Sequence, residues 1–279
     1  MYAITGITGQ VGASLAEALT QAGRPFRAVV RQAAKGRAFA DFAVADLDDT
    51  AALTQAFDGA EAVFVLLPPT FDPSPGYTES RRTIASIREA LLTAKPARVV
   101  ALSTIGADAV EDNLLSQLAH MERELATLPM PVTFLRAAWF IENAQWDIPM
   151  ARDEGVIDSY LQPLDRRIAM VATKDIGRLA ATLLDEPGQG VRVVELEGPE
   201  RVSPNDIAAS LTRALGREVT ARVVPRDAWE ARFRAQGMNH PHPRMRMIDG
   251  FNEGWIDFGT SSVKGLTGLD EVIAELSSR

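Results

Sequence analysis

The residues nearest the start of the chain that could do chemistry are three regularly spaced glycines. Gly6, Gly9 and Gly12 stand between a short apolar run, Tyr2–Thr5, and an amphipathic segment that begins at Val11. In such a strand–loop–helix unit, the first glycine permits a tight turn and the second lets the backbone approach a pyrophosphate. The third lets the helix lie close to the strand. A structural turn is the alternative, but position and context favour a dinucleotide-binding loop, with pyrophosphate on the free N–H groups of the helix.

A basic residue follows the second apolar run and bears on the choice of cofactor. The run Phe26–Val30 ends in Arg31, with no carboxylate beside it. An acidic residue at this point holds the ribose 2′-hydroxyl of NAD, whereas arginine accommodates the 2′-phosphate of NADP. Lys35 would add a second positive charge. We therefore predict that NADP(H) is preferred over NAD(H), although a solvent-exposed strand-end arginine would have the same sequence.

Further candidate cofactor contacts share one property, which is that each lies at the end of a predicted strand. Ligands in open α/β sheets bind outside the carboxyl ends of the strands. Asp46 would accept from the exocyclic amine of adenine, or would instead belong to the acidic cluster that caps the next helix. The residues at these strand ends are Asp46 and Leu47, then Leu66, Leu67 and Pro68, then Ser103 and Thr104.

Alternating short apolar runs and helix-period segments must position these residues. Runs of four to six apolar residues are typical of parallel strands buried on both faces, and their alternation with helices predicts right-handed βαβ units. We predict an α/β fold, a Rossmann-type doubly wound parallel sheet with a smaller C-terminal α/β substrate-side region. The predicted strands are Tyr2–Thr5, Phe26–Val30, Phe42–Ala45, Ala62–Leu67, Arg98–Leu102, Val132–Arg136, Val191–Leu196 and Glu218–Val224.

Helices are predicted between these strands and in the second half of the chain. Thr173 and Asp175 are expected to cap the helix that begins there. The stretch from Gly237 to Pro243 is expected to be a loop. The dinucleotide-binding domain should span 1–150, with 173–198 returning to it, and the substrate-side region 151–279. Beyond the first helix, the predicted helices are Thr50–Phe57, Thr78–Ala94, Asn113–Leu128, Thr173–Leu184, Ser203–Leu215, Asp227–Ala235 and Asp270–Leu276.

Composition excludes several classes of function. Lys and Arg number 29 against 37 Asp and Glu, a net charge of −8, which argues against nucleic acid or an anionic membrane as partner. There is no cysteine, so disulfides, thiolate nucleophiles and cysteine-ligated metals are excluded. No apolar run has the roughly 20 residues of a membrane helix, and no signal peptide is visible. We expect a cytoplasmic protein, monomeric or homodimeric, that acts on a small molecule.

Several motifs together resemble the NmrA-like group of atypical short-chain dehydrogenases/reductases. They are TGITGQVG, VVR, ADLDD, VVALST, VTFLRAAWFIEN and VATKDIG. The family includes quinone reductases and non-enzymatic NADP-sensing regulators. The resemblance implies that Gly6, Thr8, Gly9, Gln10, Val11 and Gly12 lie at the pyrophosphate. It places Arg31 at the 2′-phosphate, and Asp46 and Leu47 at the adenine. It places Leu66, Leu67, Ser103 and Thr104 along the ribose–nicotinamide path.

The chain lacks the Tyr-x-x-x-Lys motif of ordinary short-chain dehydrogenases. Four residues after its three tyrosines stand Gly6, Arg81 and Leu164. His120 lies where the motif is expected and is a weak candidate proton donor, a surface histidine being the alternative. Hydride transfer to a quinone leaves a phenolate that solvent can protonate, so the absence favours quinone-like or other electrophilic acceptors. The alternative is a protein that senses NADP(H) without catalysis and acts through a regulatory protein partner.

Aromatic and polar residues in two segments are the candidate substrate contacts. Aromatic faces together with an amide could sandwich a flat ring, although these aromatics could instead fill the contact between the two parts of the chain. The stretch His240-Pro241-His242-Pro243 has no nearby carboxylate in the sequence, so we predict no metal site there. The candidate substrate contacts are Trp139, Phe140, Glu142, Asn143, Phe251 and Trp255.

Overall fold

The structure, a computed structural model, describes residues 1–278. Within them the strands are β1 (Tyr2–Ile4), β2 (Phe26–Val30), β3 (Phe42–Val44), β4 (Ala62–Leu66), β5 (Arg98–Thr104), β6 (Val132–Ala137), β7 (Trp139–Phe140), β8 (Val156–Ser159), β9 (Met170–Val171), β10 (Val191–Glu197), β11 (Thr220–Val223) and β12 (Val263–Lys264). The helices are α1 (Gln10–Gln21), α2 (Ala33–Gly36), α3 (Thr50–Phe57), α4 (Thr78–Ala94), α5 (Ser116–Leu125), α6 (Ile148–Glu154), α7 (Thr173–Asp185), α8 (Pro204–Leu215), α9 (Trp229–Ala235), α10 (His242–Glu253) and α11 (Leu269–Ser277).

Eight strands form one parallel sheet in the order β12-β10-β6-β5-β4-β1-β2-β3. Strand β1 pairs with both β2 and β4, so the strand order reverses there and opens a crevice at the carboxyl ends. This architecture confirms the predicted Rossmann-type α/β fold. The crevice lies where the glycine loop and the ends of β4 and β5 meet.

Each face of the sheet buries its own layer of apolar side chains. Consecutive residues of β1 illustrate the alternation, because Ile4 packs in the cluster beneath α1 and α7, while Ala3 packs in the cluster beneath α3, α4 and α5. Helices α1 and α7 approach closely, since a Cβ on Gly177 would lie 2.6 Å from the backbone nitrogen of Leu15. The helix that opens at the glycine loop is therefore fixed from the opposite side by α7.

The C-terminal residues divide between the main sheet and a smaller unit. Strands β10 and β12 extend the main sheet beyond β6. The smaller unit contains two short parallel pairs, β8 with β11 and β7 with β9, together with α8, α9 and α10. None of the helices in the described residues combines the length and apolar composition needed to cross a membrane.

Two sequence predictions about helices are wrong. The expected loop Gly237–Pro243 ends early, because α10 begins at His242 with Pro243 in its first turn, where proline's missing N–H costs nothing. Thr173 and Asp175 do not cap α7 with their side chains. The carboxylate of Asp175 instead accepts from the backbone N–H groups of Leu266 and Thr267. The backbone N–H at the start of α7 donates instead to Glu142, which belongs to a distant segment.

Candidate cofactor and active site

The glycine loop has the backbone geometry that its spacing predicts. Gly6 adopts a left-handed φ of 65°. The carbonyl oxygen of Gly6 accepts a hydrogen bond from the N–H of Gly9 at 3.0 Å. A Cβ on Gly12 would lie 2.2 Å from the same carbonyl, so only glycine fits there. Gly9 caps α1 without a side chain, and no acidic residue occupies the first turn of the helix. The open N–H groups and positive end of α1 therefore suit a phosphate.

Three non-glycine residues of the loop, Thr8, Gln10 and Val11, are predicted pyrophosphate contacts, and they differ in exposure. Thr8 and Gln10 are exposed on the loop, while Val11 is buried against the core. A backbone N–H serves phosphate equally well from a buried residue, so the burial of Val11 is compatible with the predicted contact.

Thr5, which sequence reasoning did not single out, holds the loop in register with β4. Its hydroxyl donates to the carbonyl oxygen of Phe64 at 3.1 Å and accepts from the N–H of Leu66 at 2.9 Å. The side chain is fully buried. The only sequence signal was a threonine directly before the first glycine, at the end of an apolar strand.

Arg31 and Lys35 lie close to the carboxyl end of β2. Arg31 directly follows β2, Lys35 lies in α2, and both are exposed. Neither side chain makes a hydrogen bond or ion pair with another of residues 1–278. By contrast Arg24, before the amino end of β2, is paired with Asp185 at 3.0 Å. The two free cations are thus available to a phosphate at the carboxyl end of β2.

Asp46 and Leu47 follow β3 as predicted. One carboxylate oxygen of Asp46 accepts from the N–H of Asp48 at 3.0 Å, which shapes the turn before α3. The true cap of α3 is Asp49, which accepts from the N–H of Ala52 at 3.0 Å. Asp46 therefore keeps one carboxylate oxygen for another donor. Leu47 is half-buried and packs against the core beneath α3.

The ends of β4 and β5 present both apolar and polar surface to the crevice. Leu66 is half-buried beside Gly6, where an added Cβ would come within 3.1 Å of it. Leu67 is buried and Pro68 is exposed. At the end of β5, Thr104 is half-buried and Ser103 is buried, with the Ser103 hydroxyl donating to the carboxylate of Glu122.

The ion pair between Arg136 and Glu122, which was not predicted from the sequence, stabilises the carboxyl ends of β5 and β6. Arg136, near the end of β6, donates to both carboxylate oxygens of Glu122 at 2.9 and 2.7 Å, and to Asp108 at 2.8 Å. The pair is only 11% and 12% exposed, and its hydrogen bonds raise the pKa of Arg136 above its usual value. Ser103 is thereby held by a carboxylate that is itself fixed, a bidentate geometry typical of strong charge-assisted pairs.

His120 lies on α5 between two arginines. Its ring nitrogens contact the guanidinium groups of Arg81, at 2.9 Å, and of Arg123. The ring also packs edge-on against Tyr77, with centroids 5.5 Å apart. Burial and the two positive charges lower the pKa of His120 below its usual value. This environment favours a neutral imidazole near pH 7.

The aromatic candidates for substrate contact are distributed between core and surface. Phe251, on α10, is 2% exposed and packs edge-on against Trp139, with centroids 5.2 Å apart. Trp139 and Phe140 are half-buried just beyond β6. Trp255 is half-buried, donates to Glu253 at 2.8 Å and stacks under the Arg246 guanidinium. Phe251 thus has its surface occupied by protein, while Trp139 and Phe140 keep exposed edges at the carboxyl end of the sheet.

Glu142 and Asn143 have different surroundings although they are neighbours. Asn143 is exposed. Glu142 is buried, and one of its oxygens accepts from the Thr173 N–H at 2.8 Å and from the Thr173 hydroxyl at 2.6 Å. Burial raises the pKa of Glu142, and its second oxygen is buried with no hydrogen-bond partner in the described residues. The carboxyl group satisfies the start of α7, a tertiary cap that local sequence signals do not reveal.

The His-Pro-His-Pro stretch borders a surface cleft of about 460 Å³. Asp72 binds the stretch to the loop after β4, accepting from the N–H groups of Asn239 at 2.8 Å and His240 at 2.6 Å. Within residues 1–278, no group of three or more histidine or carboxylate side chains is arranged to hold a metal ion.

The sheet order, the crevice and the glycine loop define a Rossmann-type α/β protein. A model of the NmrA-like family matches residues 2–247, and the chain belongs to that family. It is similar to quinone oxidoreductase 2 of Escherichia coli (strain K12), with 30% identity over 85% of this chain and 82% of that protein. It is also similar to the NAD(P)H azoreductase of Xenophilus azovorans, with 27% identity over 91% of this chain and 85% of that protein.

Solved structures agree with this assignment. The NADPH complex of the NADPH-dependent quinone oxidoreductase QOR2 from E. coli superposes with a TM-score of 0.83, at 26% identity over 99% of both chains. The Citrobacter triphenylmethane reductase complexed with NADP(H) gives a TM-score of 0.81 at 20% identity, over 99% of both chains, a likeness of fold.

Proposed function

We propose that the protein is an NAD(P)H-dependent oxidoreductase that prefers NADPH and reduces quinone-like or other electrophilic small molecules by hydride transfer. The observation that carries the proposal is the glycine loop, whose shape admits no side chain at Gly12 and leaves the start of α1 open to a pyrophosphate. Similarity to a quinone oxidoreductase over most of both chains supports the reaction class.

The proposed cofactor contacts lie along the carboxyl ends of the strands, from β1 toward β3 on one side and toward β5 on the other. The pyrophosphate lies on the loop, the 2′-phosphate at the end of β2, the adenine beyond β3, and the ribose and nicotinamide beyond β4 and β5. The proposed residues are Gly6, Thr8, Gly9, Gln10, Val11, Gly12, Arg31, Lys35, Asp46, Leu47, Leu66, Leu67, Pro68, Ser103 and Thr104.

Reduction of a quinone requires little acid catalysis from the protein. When bound, the reduced nicotinamide supplies the hydride. The two-electron reduction of a quinone by one hydride leaves a phenolate, which takes its proton from solvent and becomes the hydroquinone. The chain's residues then need only to hold the ring and the nicotinamide in register, which is positional catalysis. This fits a site in which Ser103 is already bound to Glu122 and His120 to arginines.

The cofactor preference is tested by calorimetry on Arg31→Ala. Loss of one charge-assisted contact of about 1.5–3 kcal/mol should weaken NADPH about 10- to 100-fold and NADH much less. Arg24→Ala is the matched control, because Arg24 lies near the opposite end of β2 and is paired with Asp185. Equal losses for both nucleotides would refute the 2′-phosphate assignment.

The reaction class is tested by NADPH consumption against quinones, enones, imines and azo dyes. Turnover of quinones well above the background rate is expected. If NADPH binds and no acceptor is turned over, the proposed oxidoreductase is refuted in favour of a sensor of NADP(H) that acts through a protein partner.

We further propose that 1–150 with 173–198 form the dinucleotide-binding domain and 151–279 the smaller substrate-side region of a monomer or homodimer. Strand β10 lies within the main sheet beside β6, which supports the return of 173–198. Strand β12, from the distal segment, also joins that sheet, so the two regions share one sheet edge.

A further inference from the structure

Arg244 is a half-buried arginine whose hydrogen-bonding capacity is largely unused. It lies in the first turns of α10 and places its guanidinium over the ring of Phe233, 4.4 Å from the centroid. Its side-chain hydrogen bond within the described residues goes to the sulfur of Met238 at 3.7 Å, a weak acceptor. Burial lowers the pKa of Arg244, and the charge of Tyr160 offsets part of that effect.

Neighbouring arginines of the same region are satisfied by oxygen ligands. Arg246, two residues away on α10, contacts Asp249 at 3.3 Å and Glu111 at 3.4 Å. Arg226 forms a two-point pair with Asp249 at 2.7 and 2.8 Å. A partly desolvated guanidinium whose five N–H donors find no oxygen acceptor within residues 1–278 is available to acceptor oxygens of a ligand.

The surroundings of Arg244 also offer flat surfaces. Tyr160 is half-buried and stacks on Phe233, with centroids 5.0 Å apart and ring planes inclined by 29°. Phe233 is fully buried and supports both groups from below, which leaves the partly exposed Tyr160 ring and Arg244 guanidinium as the surface that a ligand can reach. Such a surface suits an aromatic ring that carries an oxyanion, because the ring can stack while the guanidinium edge donates to the oxygens.

Arg244 shares a helix face with residues that reach the sheet edge. Ile248 and Phe251 follow it at helical spacing of four and seven residues, and Phe251 packs on Trp139, the first residue of β7. Seven residues of helix span about 10 Å, so Arg244 lies about one fused-ring length from that contact. A short stretch of α10 thus joins Arg244 to the contact with Trp139 beyond the carboxyl end of β6.

We propose that Arg244 is a specificity-determining residue that binds the acidic group of an aromatic acceptor, a carboxylate or sulfonate, while the ring stacks on Tyr160. The inference rests on the proposed function for the identity of the ligand as an acceptor. Its binding step can be measured without turnover.

The test compares naphthoquinone sulfonate with neutral naphthoquinone, using protein saturated with NADP+. Binding is measured by titration and reduction is measured with NADPH. Arg244→Met should raise the dissociation constant and the KM of the sulfonate at least about tenfold, with little change for neutral naphthoquinone. Arg244→Lys should restore part of the sulfonate affinity, because it keeps the charge but loses the planar fork.

Two controls separate this effect from misfolding or bulk charge. Arg213→Met removes an exposed arginine of α8 that is paired with Asp270 of α11, and should leave the binding of both ligands unaffected. Affinity for NADPH and the thermal midpoint report whether Arg244→Met is folded. Equal losses for the two quinones, or a wild-type protein that binds the sulfonate no better than neutral naphthoquinone, would overturn the proposal. Tight, Arg244-dependent binding of the sulfonate without any reduction would uphold it and refute the proposed reaction instead.

Discussion

The carboxylate of Glu142 accepts two hydrogen bonds from Thr173, one from the backbone N–H at 2.8 Å and one from the hydroxyl at 2.6 Å. Thirty-one residues separate the two positions in the chain. The bond joins the segment after β7 to the first turn of α7, which in turn packs on α1. The helix that opens at the glycine loop is thus linked, through α7, to a single buried carboxyl group.

Replacing Glu142 with alanine is expected to destabilise the protein by about 1–3 kcal/mol, since the start of α7 loses its acceptor and the Thr173 hydroxyl is left buried. Glu142→Gln should cost much less, because the amide oxygen can accept the same two hydrogen bonds. Urea unfolding of both variants measures the difference. Glu89→Ala, at an exposed site on α4, serves as the control. Equal stability of wild type and Glu142→Ala would contradict the capping role.

The environment of Asp147 leads us to expect that the free energy of unfolding depends on pH. Burial and the neighbouring Asp158 raise the pKa of Asp147 to about 7 in the folded protein. The unfolded value is about 3.9, so the folded state holds the proton more tightly, and this group's favourable contribution is complete below about pH 4. That contribution is lost as the pH rises through about 7.

Asp147→Asn should therefore stabilise the protein by about 1–2 kcal/mol at pH 8 and leave it unchanged near pH 4. Thermal midpoints of wild type and variant across this range provide the measurement. Asp153→Asn, an exposed acidic residue on α6, should show no such trend. A difference between Asp147→Asn and wild type that does not vary with pH would rule out the linkage.

Gly12→Ala should abolish cofactor binding and reduce stability. The added Cβ would lie 2.2 Å from the Gly6 carbonyl oxygen and 2.5 Å from the Cα of Ile7, so the backbone of the loop must move. A forced shift of this kind costs about 1–3 kcal/mol or more. Gly259→Ala is the control, since nothing lies near its added Cβ. Calorimetry with NADPH tests both variants, and retention of wild-type affinity by Gly12→Ala would show that the loop geometry does not govern binding.

His120→Asn should change kcat for quinone reduction by less than about threefold between pH 6 and 9, because a neutral imidazole beside two guanidinium groups is a poor acid. A general acid of ordinary efficiency would contribute about 100-fold or more. His240→Asn, on an exposed loop, is the matched control. A loss of two orders of magnitude in kcat confined to His120→Asn would assign it as the proton donor.

Most strands and the longer helices of residues 1–137 were predictable, because each is a continuous apolar run or a segment with helical apolar periodicity. Helices α3 and α4 have the predicted bounds; Asp49 caps the start of α3, whereas no side chain of the described residues caps α4. Helix α10 was not predictable in the same way, since its first turn reads His-Pro-Arg and its apolar residues serve contacts with remote segments such as Trp139. The same limit applies to short strands such as β7 and β9, whose pairing is decided by tertiary contact.

The sequence by itself determined the dinucleotide loop, the order of strands and helices around it, and the absence of a Tyr–Lys pair. These features follow from local spacing, because a turn, the apolar face of a helix or a short motif is determined by residues that are close together in the sequence. Only the tertiary structure decided that Glu142 caps α7, that Glu122 and Arg136 fix Ser103, and that Arg244 lies half-buried with no oxygen acceptor among residues 1–278. Such relations depend on burial and on residues that are far apart in the chain, and no local pattern records them.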